Sequence, residues 1–143
     1  MTGIIDVKKK VRDVLLADQN VSAIIGTRVF IGWVERDYTF PCVTIVDVSD
    51  QAEVSGLNRG YDGVNRYQWH HAVIQVDCWS TKGAEERNHL KRAVQKCLLR
   101  SDAEGVFHIQ ELMVQSLNEF DVKPPLWRMS LRYNVMYVLE VLA

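Results

Sequence analysis

Residues Tyr67 to Arg100, YQWHHAVIQVDCWSTKGAEERNHLKRAVQKCLLR, decide how this chain folds, because they join one long strand to one long helix. The strand, Tyr67 to Ser80, alternates in polarity, and its apolar face consists of Ala72, Ile74, Val76 and Cys78. The helix, Lys82 to Arg100, repeats apolar residues at spacings of three and four, which gives the stripe Leu90, Ala93, Val94, Cys97 and Leu98. The pattern predicts that this helix folds back over the apolar face of the strand.

The rest of the chain predicts further strands and one more main helix around this unit. An amphipathic helix is predicted over Ile4 to Ala17, followed by a short helical turn that Asn20 caps and Gly26 ends. Further strands are predicted at Arg28–Val34, Cys42–Val48, Phe107–Leu117 and Trp127–Leu139. The order α-β-β-β-α-β-β predicts one α+β domain over residues 1–143, with an antiparallel or mixed sheet of about five strands and two main helices on one face.

The composition argues against several broad classes of protein. The net charge of −1 provides no basic field to recruit nucleic acid. No run approaches the roughly 18 apolar residues of a membrane span, so we expect no membrane partner. The start of the chain lacks the apolar core of a signal peptide. Cys42, Cys78 and Cys97 all lie in apolar segments, which predicts buried free thiols of a reducing compartment.

The sequence contains no pattern that requires a catalytic, cofactor or metal site. His70 and His71 are adjacent on a strand, so their side chains face opposite ways and cannot share a metal. The glycines of segment 56–63 lead into a strand and not into a helix, so they lack the helix N-terminus that holds phosphate. We therefore expect no enzyme activity and no cofactor. The enzymatic alternative is a metal-dependent nuclease built on Asp47 and Asp77.

The segment Asp50–Arg66 is the one long irregular stretch of the chain. Its glycine, asparagine and aspartate residues favour turns, and it is predicted to form a long loop or a protruding hairpin. Arginine and aromatic residues are enriched at protein interfaces. Our candidates for contact with a partner, in this segment and on the strand after it, are Arg59, Tyr61, Arg66, Trp69 and Trp79. The alternative for the basic and aromatic groups near the loop is binding of single-stranded nucleic acid.

Both faces of the predicted sheet carry apolar groups. Two helices can cover only one of these faces, so the other face keeps apolar surface without a cover. Opposite its core face, the central strand presents Tyr67, Trp69, Val73 and Trp79. A contiguous exposed aromatic patch marks a protein contact. We therefore predict that the helix-free face, or the hairpin beside it, docks another subunit. The alternative is a curled sheet that buries both faces within one monomer.

Several short motifs follow one another in a fixed order along the first hundred residues. They are Leu15-Leu16-Ala17-Asp18 with Val21, Ile25-Gly26 with Arg28-Val29-Phe30, Phe40-Pro41-Cys42-Val43-Thr44, and Val76-Asp77-Cys78-Trp79-Ser80 before a helix with Glu86, Leu90, Ala93 and Val94. In this order they resemble the opening, the Pro-led second strand and the strand-to-helix core of the tail-completion or tail-terminator proteins of long-tailed phages and prophages. The resemblance covers most of residues 10 to 100 and is looser afterwards.

The resemblance implies a structural virion protein without enzyme activity. Such proteins form rings, typically hexameric, that cap the finished tail tube, stop its polymerisation and provide the surface to which the head joins. The implied partners are other copies of the chain, the tail tube protein and the head connector or stopper protein. DNA would pass through the lumen without specific binding. The implied location is the head-proximal end of the tail in the virion, and the host cytoplasm during assembly.

Other functions stay open beside the tail terminator. The nearest is another head–tail neck component, such as a stopper or head-completion protein, or a tail tube protein. A more distant one is a protein-binding module outside any virus, and the most distant is the nuclease. Neighbouring genes for portal, capsid and tail tube would distinguish the first two classes from the others.

Overall fold

The computed structural model describes residues 7–33, 38–52, 59–61, 65–99 and 106–142. Its elements are α1 (Val7–Ala17), α2 (Gln19–Ile25), β1 (Val29–Ile31), β2 (Cys42–Ala52), β3 (Arg59–Tyr61), β4 (Asn65–Ser80), α3 (Ala84–Leu99), β5 (Val106–Ser116) and β6 (Trp127–Leu142). The predicted α+β class is confirmed. Residues 4–6 of the predicted first helix lie outside the described part of the chain. No helix in the described part combines the length and hydropathy needed to cross a membrane.

The described strands form one mixed sheet in the order β1-β2-β4-β6-β5. β4 pairs antiparallel with β6 along its whole length on one side. On the other side β4 pairs antiparallel first with β3 and then with β2. β1 runs parallel to β2 at one edge of the sheet, and β5 runs antiparallel to β6 at the opposite edge.

The core lies between one face of this sheet and the helices. The side chains that β4 and α3 bury there are the predicted ones, namely Ala72, Ile74, Val76 and Cys78 from the strand and Leu90, Val94, Cys97 and Leu98 from the helix. α1 adds Val7, Val11 and Leu15. Fully burying one such aliphatic side chain stabilises the fold by about 1.5–3 kcal/mol, so this layer fixes which face of each strand points inward.

The short helix α2 starts at a different cap from the predicted one. Asp18, not Asn20, is the N-cap: its Oδ1 accepts the N–H groups of Asn20 at 2.8 Å and Val21 at 3.0 Å. An acceptor placed before the first turn satisfies two otherwise unpaired donors, whereas Asn20 already lies inside the helix. Gly26 ends the helix as predicted, with φ 60°, a conformation that glycine adopts without steric cost.

The described parts of segment 50–66, which was predicted to be either a long loop or a protruding hairpin, form a hairpin. β2 continues to Ala52, which lies opposite His70 of β4. β3 then takes the same side of β4, with Tyr61 opposite Arg66. The rest of the predicted loop, residues 53–58 and 62–64, lies outside the described part of the chain.

Candidate protein interface

The sheet face opposite the helices carries a buried polar network at its centre. Asp77 is fully buried, and its carboxylate accepts Arg128 Nη2 at 3.2 Å and Gln75 Nε2 at 3.0 and 3.3 Å. On β6, Arg132 Nε donates to Gln75 Oε1 at 3.3 Å, which extends the network along the face. A buried charge of this kind must be paired and hydrogen-bonded. The centre of this face is therefore polar, where the sequence predicted a continuous apolar and aromatic patch.

Two tryptophans enclose the guanidinium of Arg128. Its Cζ lies 4.6 Å from the ring centroid of Trp33 and 5.0 Å from that of Trp79, and the two rings meet edge to face at 5.7 Å. Trp79 is fully buried, and its Nε1 donates to Thr44 Oγ1 at 2.9 Å. Trp33 is 50% exposed. The exposed surface expected at Trp79 is thus absent, and the exposed aromatic ring of this cluster belongs to Trp33, which was not among the predicted contact residues.

The connection between β5 and β6 forms the other wall of a cleft beside Trp33. Asn118 holds this connection in place, because its Oδ1 accepts Arg87 Nη1 and the backbone N–H of Arg128. Glu119 and Leu126 exchange two backbone hydrogen bonds of 2.8 Å. The cleft has a volume of about 820 Å³, and its lining includes Trp33, Tyr38 and Phe40 on one side and Glu119, Asp121, Val122, Lys123, Pro124 and Leu126 on the other.

The opposite end of the sheet carries the hairpin, and a three-residue cluster holds its base. Asp50 Oδ1 lies 3.0 Å from His70 Nδ1, and Tyr137 donates its hydroxyl to the other oxygen of the same carboxylate. The rings of His70 and Tyr137 stack at 5.3 Å. Burial raises the pKa of the Tyr137 hydroxyl well above its ordinary value, and the Asp50 carboxylate raises it further. These contacts join β2, β4 and β6 where the hairpin leaves the sheet.

Four of the five predicted contact residues lie on the two strands of the hairpin, β3 and the first part of β4. Arg59, Tyr61 and Arg66 have their backbones in the paired strands β3 and β4, and their side chains lie outside the described set. Trp69 follows on β4 and is half-buried. Trp79 lies at the far end of β4, beside Thr44 and Trp33, and does not join the other four.

The two carboxylates of the nuclease alternative do not form a pair. Asp47 lies on the helix side of β2, where its Oδ2 is 2.7 Å from Lys8 Nζ of α1. Asp77 lies on the opposite side of the sheet and pairs with Arg128. Because the sheet separates them, Asp47 and Asp77 cannot bind one metal ion.

The three cysteines are buried and none of them forms a disulfide, as predicted. Burial raises the pKa of the Cys42 thiol to about 12, and the nearby Arg28 guanidinium lowers it only in part. Burial also raises the pKa of Cys78 far above its ordinary value. A thiolate is the nucleophilic form of cysteine, so these two thiols are inert packing groups of the core.

Comparison with known proteins identifies a family and a shared fold. Residues 9–138 match the family model described as "Tail completion protein gp17". Among solved structures, a chain from the "Virion of native gene transfer agent (GTA) particle" aligns with a TM-score of 0.62 at 18% sequence identity, covering 93% of this chain and 95% of that chain. The search of curated proteins finds no match. The family match spans nearly the whole chain, and the chain therefore belongs to the tail completion protein gp17 family of phage tail structural proteins.

Proposed function

We propose that this protein assembles as a ring of copies, six in number, on the finished tail tube of a phage particle. There it stops further polymerisation of the tube and presents the surface to which the head connector or stopper protein joins. The observation that carries the proposal is the family match over residues 9–138. The shared fold with a chain of a gene transfer agent virion supports the same kind of assembly role.

The distribution of functional groups supports a binding role for the chain. The two carboxylates of the nuclease alternative are engaged in structural pairs, Asp77 with Arg128 and Asp47 with Lys8. Apart from Leu99 at the end of α3, the large exposed apolar side chains of the described residues lie at the sheet edges and at one end of the sheet: Ile31, Trp33, Val48, Leu112, Met113, Val114, Phe120 and Val122. Exposed apolar surface of this kind marks sites of protein contact. We propose no catalytic step and no cofactor for this chain.

We assign the hairpin end, with Arg59, Tyr61, Arg66 and Trp69, to contact with a neighbouring protein of the tail or the connector. Trp79 contributes indirectly, because it supports the exposed ring of Trp33 at the other end. DNA passes through the lumen of the ring without specific binding. The ring occupies the head-proximal end of the tail, after assembly in the host cytoplasm.

The direct test is electron microscopy of tail tubes assembled with and without this protein. We expect tubes of uniform length with a ring at one end when the protein is present, and overgrown tubes without a ring when it is absent. Tubes that stay uncapped and elongate equally in its presence would overturn the proposed function.

The hairpin has its own test within the same assay. Deletion of residues 56–63 is expected to leave the core folded and to abolish the joining of heads to tails. Replacing the same residues by glycine and serine at equal length keeps the length of the hairpin but removes its side chains. This variant therefore distinguishes the loss of side-chain contacts from the effect of a shorter hairpin. Normal particle assembly by the deletion variant would refute the role of the hairpin and leave the capping function intact.

A further inference from the structure

The outermost strand β5 carries an exposed apolar segment with little of the protection that sheet edges usually have. Its sequence, VFHIQELMVQS, contains no lysine, arginine or proline. Leu112, Met113 and Val114 are exposed in succession, and no described strand pairs with the outer side of β5. Free edges of soluble proteins are normally blunted by charge or proline, because unpaired backbone groups recruit other strands. The protective devices visible here are two irregularities in the pairing with β6 and the inward-facing Glu111, whose carboxylate accepts hydrogen bonds from Gln95 and Tyr133.

The opposite edge of the same sheet shows a second exposed apolar region, formed by β1 and β2. β1 covers only residues 43–45 of β2 and ends at Ile31, so β2 is outermost among the described strands beyond that point. Ile31 is 37% exposed and Val48 on β2 is 43% exposed. The edge therefore has a step where β1 ends and β2 continues alone. Ile31 lies at the end of β1, and Val48 lies beyond it on β2.

These two regions lie at the same height in the sheet. One cross-strand row runs from edge to edge through paired residues, in the order Ile31, Ile45, Val76, Leu131 and Val114. The three inner residues are fully buried, whereas both end residues are exposed. The row is thus an apolar layer of the core that reaches the surface at each edge.

The strand directions fit a head-to-tail contact between copies. β5 runs opposite to β6, β6 runs with β2, and β1 runs with β2, so β5 and β1 point in opposite directions. A rotation about an axis parallel to the strands leaves the strand directions unchanged. Because copies in a closed ring are not shifted along that axis, each residue also keeps its position along it. The height of β1, residues 29–31, corresponds to residues 114–116 of β5. Two unlike edges of this kind form a heterologous contact, which closes into a ring when the rotation from each copy to the next completes a full turn.

We propose that β5 of one copy pairs antiparallel with β1 of the next copy, and this contact deepens the ring proposed above, on which it rests. Val114 then faces Ile31 across the junction and continues the apolar row from one subunit into the next. Leu112 and Met113 fill the step beyond Ile31 and pack against Val48. The backbone groups of both edges gain partners by strand addition, a recurrent mode of recognition between proteins.

Disulfide crosslinking tests this geometry. Directly opposed residues of antiparallel strands have Cα atoms about 4.5–5.5 Å apart, which is within the range that a disulfide spans. In the double variant Ile31→Cys/Val114→Cys, mild oxidation of assembled protein is expected to give a covalent ladder up to the full ring. The native cysteines are buried and give little background. The control Ile31→Cys/Leu99→Cys places the second thiol at an exposed position at the end of α3, and no ladder is expected.

A charge variant gives the second readout. Val114→Lys is expected to leave the melting temperature of the monomer nearly unchanged, because the side chain is exposed, and to abolish ring formation. Leu99→Lys is the matched control and should retain rings. Rings that give no ladder in the double variant and persist in Val114→Lys would overturn the strand pairing and leave the ring standing. Unmodified protein that forms no ring on tail tubes would overturn both proposals, and a ladder that stops at the dimer would overturn the head-to-tail arrangement.

Discussion

Arg128 donates through Nη2 to the Asp77 carboxylate over 3.2 Å, and both side chains are buried on the sheet face opposite the helices. The pair links β6 to β4, the two central strands of the sheet. The Arg128 guanidinium also contacts the exposed ring of Trp33, which lines the cleft beside the β5–β6 connection. One ion pair thus connects the stability of the sheet to the shape of a surface available to partners.

Removal of one charge from this pair is expected to destabilise the protein strongly. Asp77→Asn leaves the Arg128 guanidinium buried without its counter-charge, a change that typically costs about 3–5 kcal/mol. Urea denaturation should show this loss in the free energy of unfolding. Asp13→Asn is the matched control, because Asp13 is 58% exposed and lies 3.8 Å from Arg12, and it should change stability by about 0.5 kcal/mol or less. Similar values for the two variants would contradict a structural role for the buried pair.

The start of α2 offers a direct comparison between the predicted cap and the observed one. Asp18→Ala removes the acceptor of two backbone N–H groups and should lower the free energy of unfolding by about 1 kcal/mol. Asn20→Ala changes an exposed residue inside the helix and should be neutral within about 0.5 kcal/mol. Thermal denaturation of both variants measures the difference. A larger loss of stability in Asn20→Ala than in Asp18→Ala would show that Asn20, as the sequence predicted, is the N-cap.

The hydrogen bond between Trp79 and Thr44 predicts a third effect on stability. Thr44→Val keeps the shape of the side chain but leaves the indole N–H of Trp79 buried without an acceptor, which should cost about 1–3 kcal/mol. Thr39→Val, at an exposed position, is the control and should be nearly neutral. Adding Trp79→Phe to Thr44→Val removes the unpaired donor, so the double variant should lose less than the two single losses combined. Additive losses would show that the hydrogen bond contributes little.

Sequence periodicity predicted the inward face of β4 and the apolar stripe of α3, because local alternation decides which side chains point the same way. It could not predict what covers the opposite face. Trp79 has the alternation of an outward residue, but Trp33 and Arg128 bury it, and these come from distant parts of the chain. Such burial depends on tertiary packing and leaves no local signal. The edge-to-edge row from Ile31 to Val114 likewise depends on strand order, which periodicity does not contain.

The buried thiol of Cys42 predicts a loss of stability at alkaline pH. Burial raises the pKa of Cys42 to about 12, whereas an unfolded thiol ionises near pH 8.5–9. Above that pH the unfolded chain releases this proton and the folded chain keeps it, so the free energy of unfolding falls as pH rises towards 12. The slope from one such group is about 1.4 kcal/mol per pH unit, and its stabilising contribution is complete below about pH 8.5.

Cys42→Val removes this titrating group while keeping an apolar side chain of similar size at the same position. Urea denaturation in reducing buffer between pH 8 and 11 should therefore give a shallower fall for Cys42→Val than for the unmodified protein, with the difference between their slopes rising to about 1.4 kcal/mol per pH unit above about pH 10. Val43→Ala is the control, because it alters the same buried strand without a titrating group and should lower the curve without changing its slope. Parallel curves for Cys42→Val and the unmodified protein would show that this thiol ionises equally in the folded and unfolded states.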